Sequence, residues 1–321
     1  MKYVNYPFNE TKRLTFYLAT EEFLARNYPA EEYFFMWQVN PTVIFGRNQL
    51  IENEVNLKFV KENNIEFYRR KSGGGCVYAD FSNIMFSFIT PNFNKDFVFN
   101  TYLTKVAEIL KNLGLNAYVS GRNDILIDGL KVSGNAFYQV NSRSIVHGTM
   151  LYNTDISVMV KAITPDNEKL ISKGIDSVRK RVTNIKEHLD ISIEEFKNFV
   201  KKNIAIESII LTESDITEIE RIESTYLNND FIYGKNPNYT VSKKKKTEAG
   251  VIEITLELKN NVVKKINMLG DYFLIGDQDE FLNNFRNIEF SRPAFLEVLK
   301  QINLNQYIYN LTNEDFLQIL F

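Results

Sequence analysis

Two short stretches of this 321-residue chain carry residues whose types and spacing could act on a phosphorylated or activated substrate. The first is Arg69-Arg70-Lys71-Ser72-Gly73-Gly74-Gly75-Cys76-Val77-Tyr78-Ala79-Asp80. Successive glycines strip Cβ from a short ribbon, so backbone N–H groups can approach an anion or an acyl carbonyl and residues can take positive φ. An arginine pair stands beside it. No Lys-Ser/Thr follows the last glycine, which excludes a Walker A loop, and the spacing does not match the G-x-G-x-x-G dinucleotide fingerprint. These residues alone fit equally a glycine-rich turn between two strands, with exposed basic neighbours.

The second stretch is Gly121-Arg122-Asn123-Asp124-Ile125-Leu126-Ile127-Asp128-Gly129-Leu130-Lys131-Val132-Ser133-Gly134-Asn135-Ala136. If Asp128-Gly129 is a two-residue hairpin turn, register pairs Ile127 with Leu130, Leu126 with Lys131, Ile125 with Val132 and Asp124 with Ser133. Ile125, Ile127, Leu130 and Val132 then form an apolar face, and Asp124, Lys131 and Ser133 share the other with Leu126. A lysine held on rigid strands beside an aspartate could stabilise negative charge on a substrate. An ordinary exposed hairpin with a surface lysine fits the same residues.

The elements that must position these stretches can be read from periodicity. Arg13 to Arg26 predicts a helix burying one broad stripe through Leu14, Leu18 and Ala25. Phe34 to Val39 and Thr42 to Phe45 read as strands split by Pro41, Leu57 to Glu62 as a short helix, and Ile65 to Tyr68 and Asn83 to Ile89 as strands. Asp96 to Leu113 reads as a helix with Asp96 as N-cap and Gly114 as its stop. Strands follow to Leu151, then a helix over Asp155 to Ala162. Helices and strands do not alternate regularly, which predicts an α+β fold with a largely antiparallel sheet rather than a doubly wound one. After the Asn236-Pro237-Asn238 break a second unit is expected. It has a hairpin of Val251 to Lys259 and Val262 to Met268 across Asn260-Asn261, pairing Glu257 with Lys264 and Leu258 with Val263. Helices are expected near Asp279 to Phe285, Pro293 to Gln301 and Asn313 to Leu320. The expected domains are 1–240 and 241–321.

Hydrophobic residues make up 44% and aromatics 13% of the chain, enough for a sizeable core, and the formal net charge of -2 gives no global case for nucleic acid or an anionic membrane as partner. The single cysteine, Cys76, excludes an intramolecular disulfide and a Cys-rich metal site. The N-terminus lacks an apolar signal core and no window reaches the roughly 18 apolar residues of a membrane span, so a cytoplasmic protein is expected. Lys243 to Lys246 read as an exposed edge or turn, or as a docking surface for an acidic domain.

Taken together, the glycine and lysine stretches resemble the lipoate-protein ligases. The family pattern is an arginine pair, two spacers, three glycines, then a small residue, Val, Tyr or His, and an Asp further on. Arg69, Arg70, Gly73, Gly74, Gly75, Val77 and Asp80 fall on it, while Ala79 stands where a histidine is common. The stretch from Gly121 to Ala136 follows the segment with the family's active-site lysine and Ser-Gly-Asn-Ala. Further resemblance lies in Trp37 with Pro41 to Gln49, His147-Gly148-Thr149, the basic loop Lys173 to Asn184, Tyr233 to Tyr239, and Gly270-Asp271-Tyr272-Phe273, so it covers nearly the whole chain.

The resemblance implies a biotin/lipoate ligase-like fold: a large catalytic domain with a mixed, mostly antiparallel sheet flanked by helices, plus a small α+β C-terminal accessory domain. It implies ATP-dependent conversion of lipoate, or octanoate, to an acyl-adenylate, then transfer to a lysine of an apo lipoyl domain of a 2-oxoacid dehydrogenase or of a glycine-cleavage H-type protein. Lys131 would be catalytic. Arg70, Ser72, Gly73, Gly74, Gly75 and His147 would line the lipoate and acyl-phosphate end, and Val77, Asn83, Asn123, Asp124 and Ser133 the nucleotide end. Asp124 is the candidate ligand of Mg2+. Trp37, Val77 and Tyr78 are candidates for the apolar acyl pocket. A monomer is expected, with no nucleic acid or membrane partner. Two rival readings are an ATP-independent acyltransferase using Cys76 as nucleophile, and a binding module without catalysis.

Overall fold

The computed structural model describes residues 1–49, 51–92, 94–121, 123–163, 178, 180–233, 241–259 and 262–321. The chain forms two compact units. One comprises Met1–Phe45, Glu52–Arg70 and Cys76–Ile232, and the other Gly46–Ile51, Lys71–Gly75 and Tyr233–Phe321. Among the described residues no helix is long and apolar enough to cross a membrane.

The first unit is built on β1 (Lys2–Asn5), β2 (Tyr33–Trp37), β6 (Asn83–Thr90), β7 (Ala117–Ser120), β8 (Asp124–Ile127), β9 (Leu130–Val140), β10 (Arg143–Leu151) and β11 (Glu207–Ile210). They form one sheet in the order β11-β1-β2-β6-β10-β9-β8-β7. Among the described residues, the strand pairings of β1, with β11 and β2, are the parallel ones of that sheet, and the rest are antiparallel. A small sheet, β4-β3-β5, joins β3 (Thr42–Phe45), β4 (Glu66–Arg69) and β5 (Val77–Ala79). The architecture is thus the α+β, mostly antiparallel arrangement expected.

Both faces of the large sheet are covered, which explains why β2 reads as an unbroken apolar run. Its alternate side chains supply two cores. Phe34 and Met36 join a core with the helices Lys95–Asn112 and Ile193–Ile204. Phe35 and Trp37 join another, with the helices Leu14–Asn27 and Glu213–Tyr226. The helix Leu14–Asn27 was expected to bury one stripe, but every residue from Leu14 to Ala25 is buried, because the helix lies between the sheet and Glu213–Tyr226. The helix Lys95–Asn112 begins one residue before Asp96, which therefore lies inside its first turn and not at its cap. Gly114 ends it at φ +86°, the left-handed conformation that favours glycine.

The second unit contains the antiparallel sheet β12 (Val241–Thr247), β13 (Gly250–Lys259) and β14 (Val262–Gly270), in that order. Its helices Gln278–Asn283, Arg292–Lys300 and Asn313–Leu320 pack on the sheet around Phe281, Phe285, Phe295 and Phe316. The Asn260-Asn261 turn lies outside the described residues. Leu258 pairs with Val263 as expected, but a bulge at Glu257/Leu258 shifts Glu257 opposite Lys265 instead of Lys264. Their ion pair is 3.1 Å long. Lys243 to Lys246 are all exposed, on the edge strand β12.

Candidate active site

The candidate residues divide between the units: Ser72 to Gly75 belong to the second, and Arg70, Val77, Asn83, Asn123, Asp124, Lys131, Ser133 and His147 to the first. Lys131 sits on the β8–β9 hairpin, whose turn residues Asp128 (φ +49°) and Gly129 (φ +84°) take the two left-handed conformations of a tight hairpin. Ile127 pairs with Leu130 and Leu126 with Lys131, as the turn dictates. Beyond that a bulge leaves Val132 unpaired, so Ile125 faces Ser133, and Asp124 faces Gly134 instead of the expected Ser133. The bulge shifts the side-chain phase by one residue and brings Asp124, Lys131 and Gly134 together. The Lys131 Nζ lies 2.7 Å from Asp124 Oδ1 in a half-exposed ion pair.

Lys131 is also fixed from its other side. Its N–H donates to the Arg181 carbonyl at 2.7 Å and its own carbonyl accepts from Thr183 N–H at 2.9 Å. The end of the expected basic loop thus pairs with the lysine's backbone, while residues 164–177 and 179 lie outside the described residues. Next to this, Asn123 Nδ2 donates to the Asn135 carbonyl at 2.6 Å, and Asn135 Nδ2 donates to the Asn123 carbonyl at 3.0 Å and to Ser133 Oγ at 3.1 Å. A Cβ on Gly148 would come within 2.1 Å of Asn135 Oδ1, so glycine at 148 makes room for that amide.

His147 is buried on β10, directly opposite Ser87 of β6. Both reach down to Glu21 of the helix Leu14–Asn27, a carboxylate with 0% exposure. Glu21 accepts from His147 Nδ1 at 2.8 Å, from Ser87 Oγ at 2.5 Å and from Tyr138 OH at 3.2 Å. Ser87 in turn accepts from Trp37 Nε1 at 2.9 Å, and the Trp37 ring stacks on Tyr17 at 4.9 Å. Buried polar groups that satisfy one another rigidify a core, so this network holds the imidazole and indole in one orientation. The network was not foreseen. Its signal was present: Glu21 falls at the helical spacing of Leu14, Leu18 and Ala25, a carboxylate on an apolar stripe.

The arginine pair is buried, contrary to the reading of exposed basic neighbours. Arg69 Nε donates to the carbonyls of Phe231 and Ile232 at 2.9 and 3.0 Å, satisfying the end of the short helix Asn229–Tyr233, and its guanidinium lies 4.6 Å from the Phe45 ring centre. Arg70 donates to the Ile44 carbonyl at 3.1 Å. Burial pushes its pKa down to about 10, against the opposing influence of Cys76 and Glu54, so it stays cationic at neutral pH. The Cys76 thiol is pushed well up by burial and by Glu54, which disfavours the thiolate an acyltransferase would need.

In the second unit the glycines differ in what surrounds them. A Cβ on Gly73 would meet the Tyr272 carbonyl oxygen at 2.2 Å, and Gly74 N–H donates to that same oxygen at 3.3 Å. Gly74 has φ +88°. A Cβ on Gly75 would meet nothing within 4 Å. The Ser72 carbonyl accepts from Arg47 N–H at 2.9 Å, and Gly46 carries no Cβ where one would press on the Gly74 carbonyl oxygen at 2.2 Å.

Back in the first unit, Asn83 holds the β5–β6 turn. Its Oδ1 accepts from Asp80 N–H and its Nδ2 donates to the Tyr78 carbonyl, each at 3.2 Å. Val77 of β5 pairs with Ile44 of β3 and packs against the core. No group of three or more His, Cys, Asp or Glu residues able to hold a metal ion occurs among the described residues. Residues 234–240, including most of the Tyr233 to Tyr239 stretch, lie outside them.

Comparison with known proteins gives this geometry a lineage. The family model for the lipoyl protein ligase A/B catalytic domain matches residues 14–205, and that for the bacterial lipoate protein ligase C-terminus matches residues 236–320. Lipoate-protein ligase LplJ of Bacillus subtilis is 37% identical over 316 residues, covering 95% of this chain and 96% of that protein. Lipoate--protein ligase 1 of Staphylococcus aureus is 35% identical over 322 residues, covering 95% and 96%. Among solved structures, P. falciparum LipL1 in complex with lipoate superposes with a TM-score of 0.77 at 26% identity, covering 99% of this chain and 97% of that one. A lipoate-protein ligase A bound with ATP shares the fold, with a TM-score of 0.62 at 22% identity over 73% of this chain and 98% of that one. With both family models matched in sequence order and relatives similar along nearly their whole length, the chain belongs to the lipoate-protein ligase family.

Proposed function

We propose that this protein is an ATP-dependent lipoate-protein ligase. It activates lipoate by attack of the carboxylate on the α-phosphorus of ATP, which forms lipoyl-AMP and releases pyrophosphate. The amine of a specific lysine on an apo lipoyl domain, or on a glycine-cleavage H-type protein, then attacks the mixed-anhydride carbonyl. An amide forms, AMP leaves, and the amine gives up a proton. Both transition states gather negative charge on oxygen, and a preorganised cation with oriented N–H donors stabilises such charge at little reorganisation cost.

In this reading Lys131 supplies the cation, compact and strongly charged. The observation that carries it is the frame around that lysine, in a chain of this family. Its backbone is paired to Leu126 on one side and to Arg181 and Thr183 on the other, and its ammonium is held at Asp124. Arg70 and the backbone from Ser72 to Gly75 are assigned to the acyl-phosphate, and His147, held by Glu21, to the acyl pocket. Val77, Asn83, Asn123, Asp124 and Ser133 are assigned to the nucleotide. Mg2+ fits as the partner of ATP. It takes oxygen ligands, and phosphate oxygens and water with one carboxylate, Asp124, would complete its shell. When bound, it neutralises triphosphate charge.

Incubating the protein with ATP, Mg2+, lipoate and an apo lipoyl domain, followed by mass spectrometry of the domain, tests the reading. One lipoyl group on one lysine is expected, only when ATP is present. Acylation from an acyl-carrier protein without ATP would contradict it.

A further inference from the structure

Gly134 lies in β9 just past the bulge at Val132, paired with Asp124 on one side and Thr149 on the other. Its φ is not among the positive values of the chain, so no left-handed conformation calls for glycine there. Glycine is the weaker strand former, because it loses more backbone freedom and packs no side chain. The reason for it lies beside the strand: a Cβ on Gly134 would stand 2.9 Å from both Cε and Nζ of Lys131, with Asp124 Oδ1 next at 3.8 Å. The bulge at Val132 produces this proximity. In an unbroken strand, positions three apart point to opposite faces, and one extra residue brings them onto the same face.

We propose that Gly134 is a positioning residue for the acyl-transfer chemistry, clearing the track along which the Lys131 arm lies and so fixing where its ammonium sits. The proposal rests on the reading of Lys131 given above. The atoms a methyl group would strike are the far end of a flexible side chain and not backbone, so alanine at 134 displaces the ammonium and spares the fold. An ammonium displaced by about 1 Å from a developing oxyanion can lose on the order of 100-fold in rate.

The test compares Gly134→Ala and Lys131→Ala with the parent enzyme in lipoyl transfer from ATP and lipoate to an apo lipoyl domain, together with thermal melting and a structure of the Gly134→Ala variant. Expected for Gly134→Ala is a melting temperature unchanged or raised, a kcat reduced roughly 10- to 100-fold with the KM for lipoate unchanged, and a Lys131 Nζ moved away from Asp124. An active Lys131→Ala enzyme would remove the underlying reading of the lysine. An inactive Lys131→Ala enzyme beside a Gly134→Ala enzyme with full kcat would overturn this proposal alone. So would a Gly134→Ala variant whose loss is confined to KM, or whose melting temperature falls with its activity, since glycine would then serve the fold and not the lysine.

Discussion

At the scale of single residues, chemistry follows from what each side chain is allowed to be. Arg70 is buried yet remains a cation at neutral pH, whereas Cys76 is held as a thiol. Because the Cys76 pKa is raised, its thiolate population at pH 8 is far below that of a free cysteine, whose pKa is about 8.5, and grows only as pH climbs well beyond that value. Alkylation by iodoacetamide at pH 8 should therefore be at least about tenfold slower than for a free thiol, and Cys76→Ala should keep full ligase activity. Rapid alkylation together with an inactive alanine variant would restore the acyltransferase reading. That Lys131 and Asp124 share one face of the hairpin was legible from the Asp128-Gly129 turn alone, though Asp124 proved to face Gly134 and not Ser133. Arg69 was not legible, because its partners, the carbonyls of Phe231 and Ile232, are more than 160 residues away in sequence.

At the scale of elements, the glycine ribbon separates into three positions with three reasons. Gly73 is fixed by close approach to the Tyr272 carbonyl, Gly74 by its positive φ, and Gly75 by neither. Valine at Gly74 would be strained whether or not a ligand binds there, so it cannot report on a cradle. Alanine at positions 73 and 75 discriminates. Gly73→Ala should destabilise by about 1–3 kcal/mol, the usual cost of overpacking, seen as a lower melting temperature. Gly75→Ala should melt like the parent, and a loss of lipoyl-AMP formation in that variant would mark Gly75 as the point of ligand approach. Full activity of Gly75→Ala would move the approach elsewhere. The β8–β9 hairpin was legible to its turn and first pairs, and the β13–β14 hairpin to its Leu258–Val263 pair. Their bulges, at Val132 and at Glu257/Leu258, were not, since the residues beside them, Ser133 to Asn135 and Lys264 to Lys265, carry no apolar side chain whose phase would reveal the shift.

At the scale of the whole molecule, the order of helices and strands was enough to predict an α+β fold. The strand pairing that puts β6 between β2 and β10 was beyond it. That pairing sets His147 opposite Ser87, and burial of both sheet faces lets Glu21 reach them from the helix beneath. Glu21 stood out as a carboxylate on the stripe of Leu14, Leu18 and Ala25, but its partners Ser87, Tyr138 and His147 lie 66 to 126 residues away and could not be read from it. The central claim is that this chain makes an acyl-adenylate with Lys131 stabilising the charge that develops. Its most direct measurement is lipoate-dependent exchange of labelled pyrophosphate into ATP, run with the parent protein and with Lys131→Ala. Exchange by the parent that needs lipoate and disappears in the variant is the expected result; no exchange by the parent, or equal exchange by both, would contradict it.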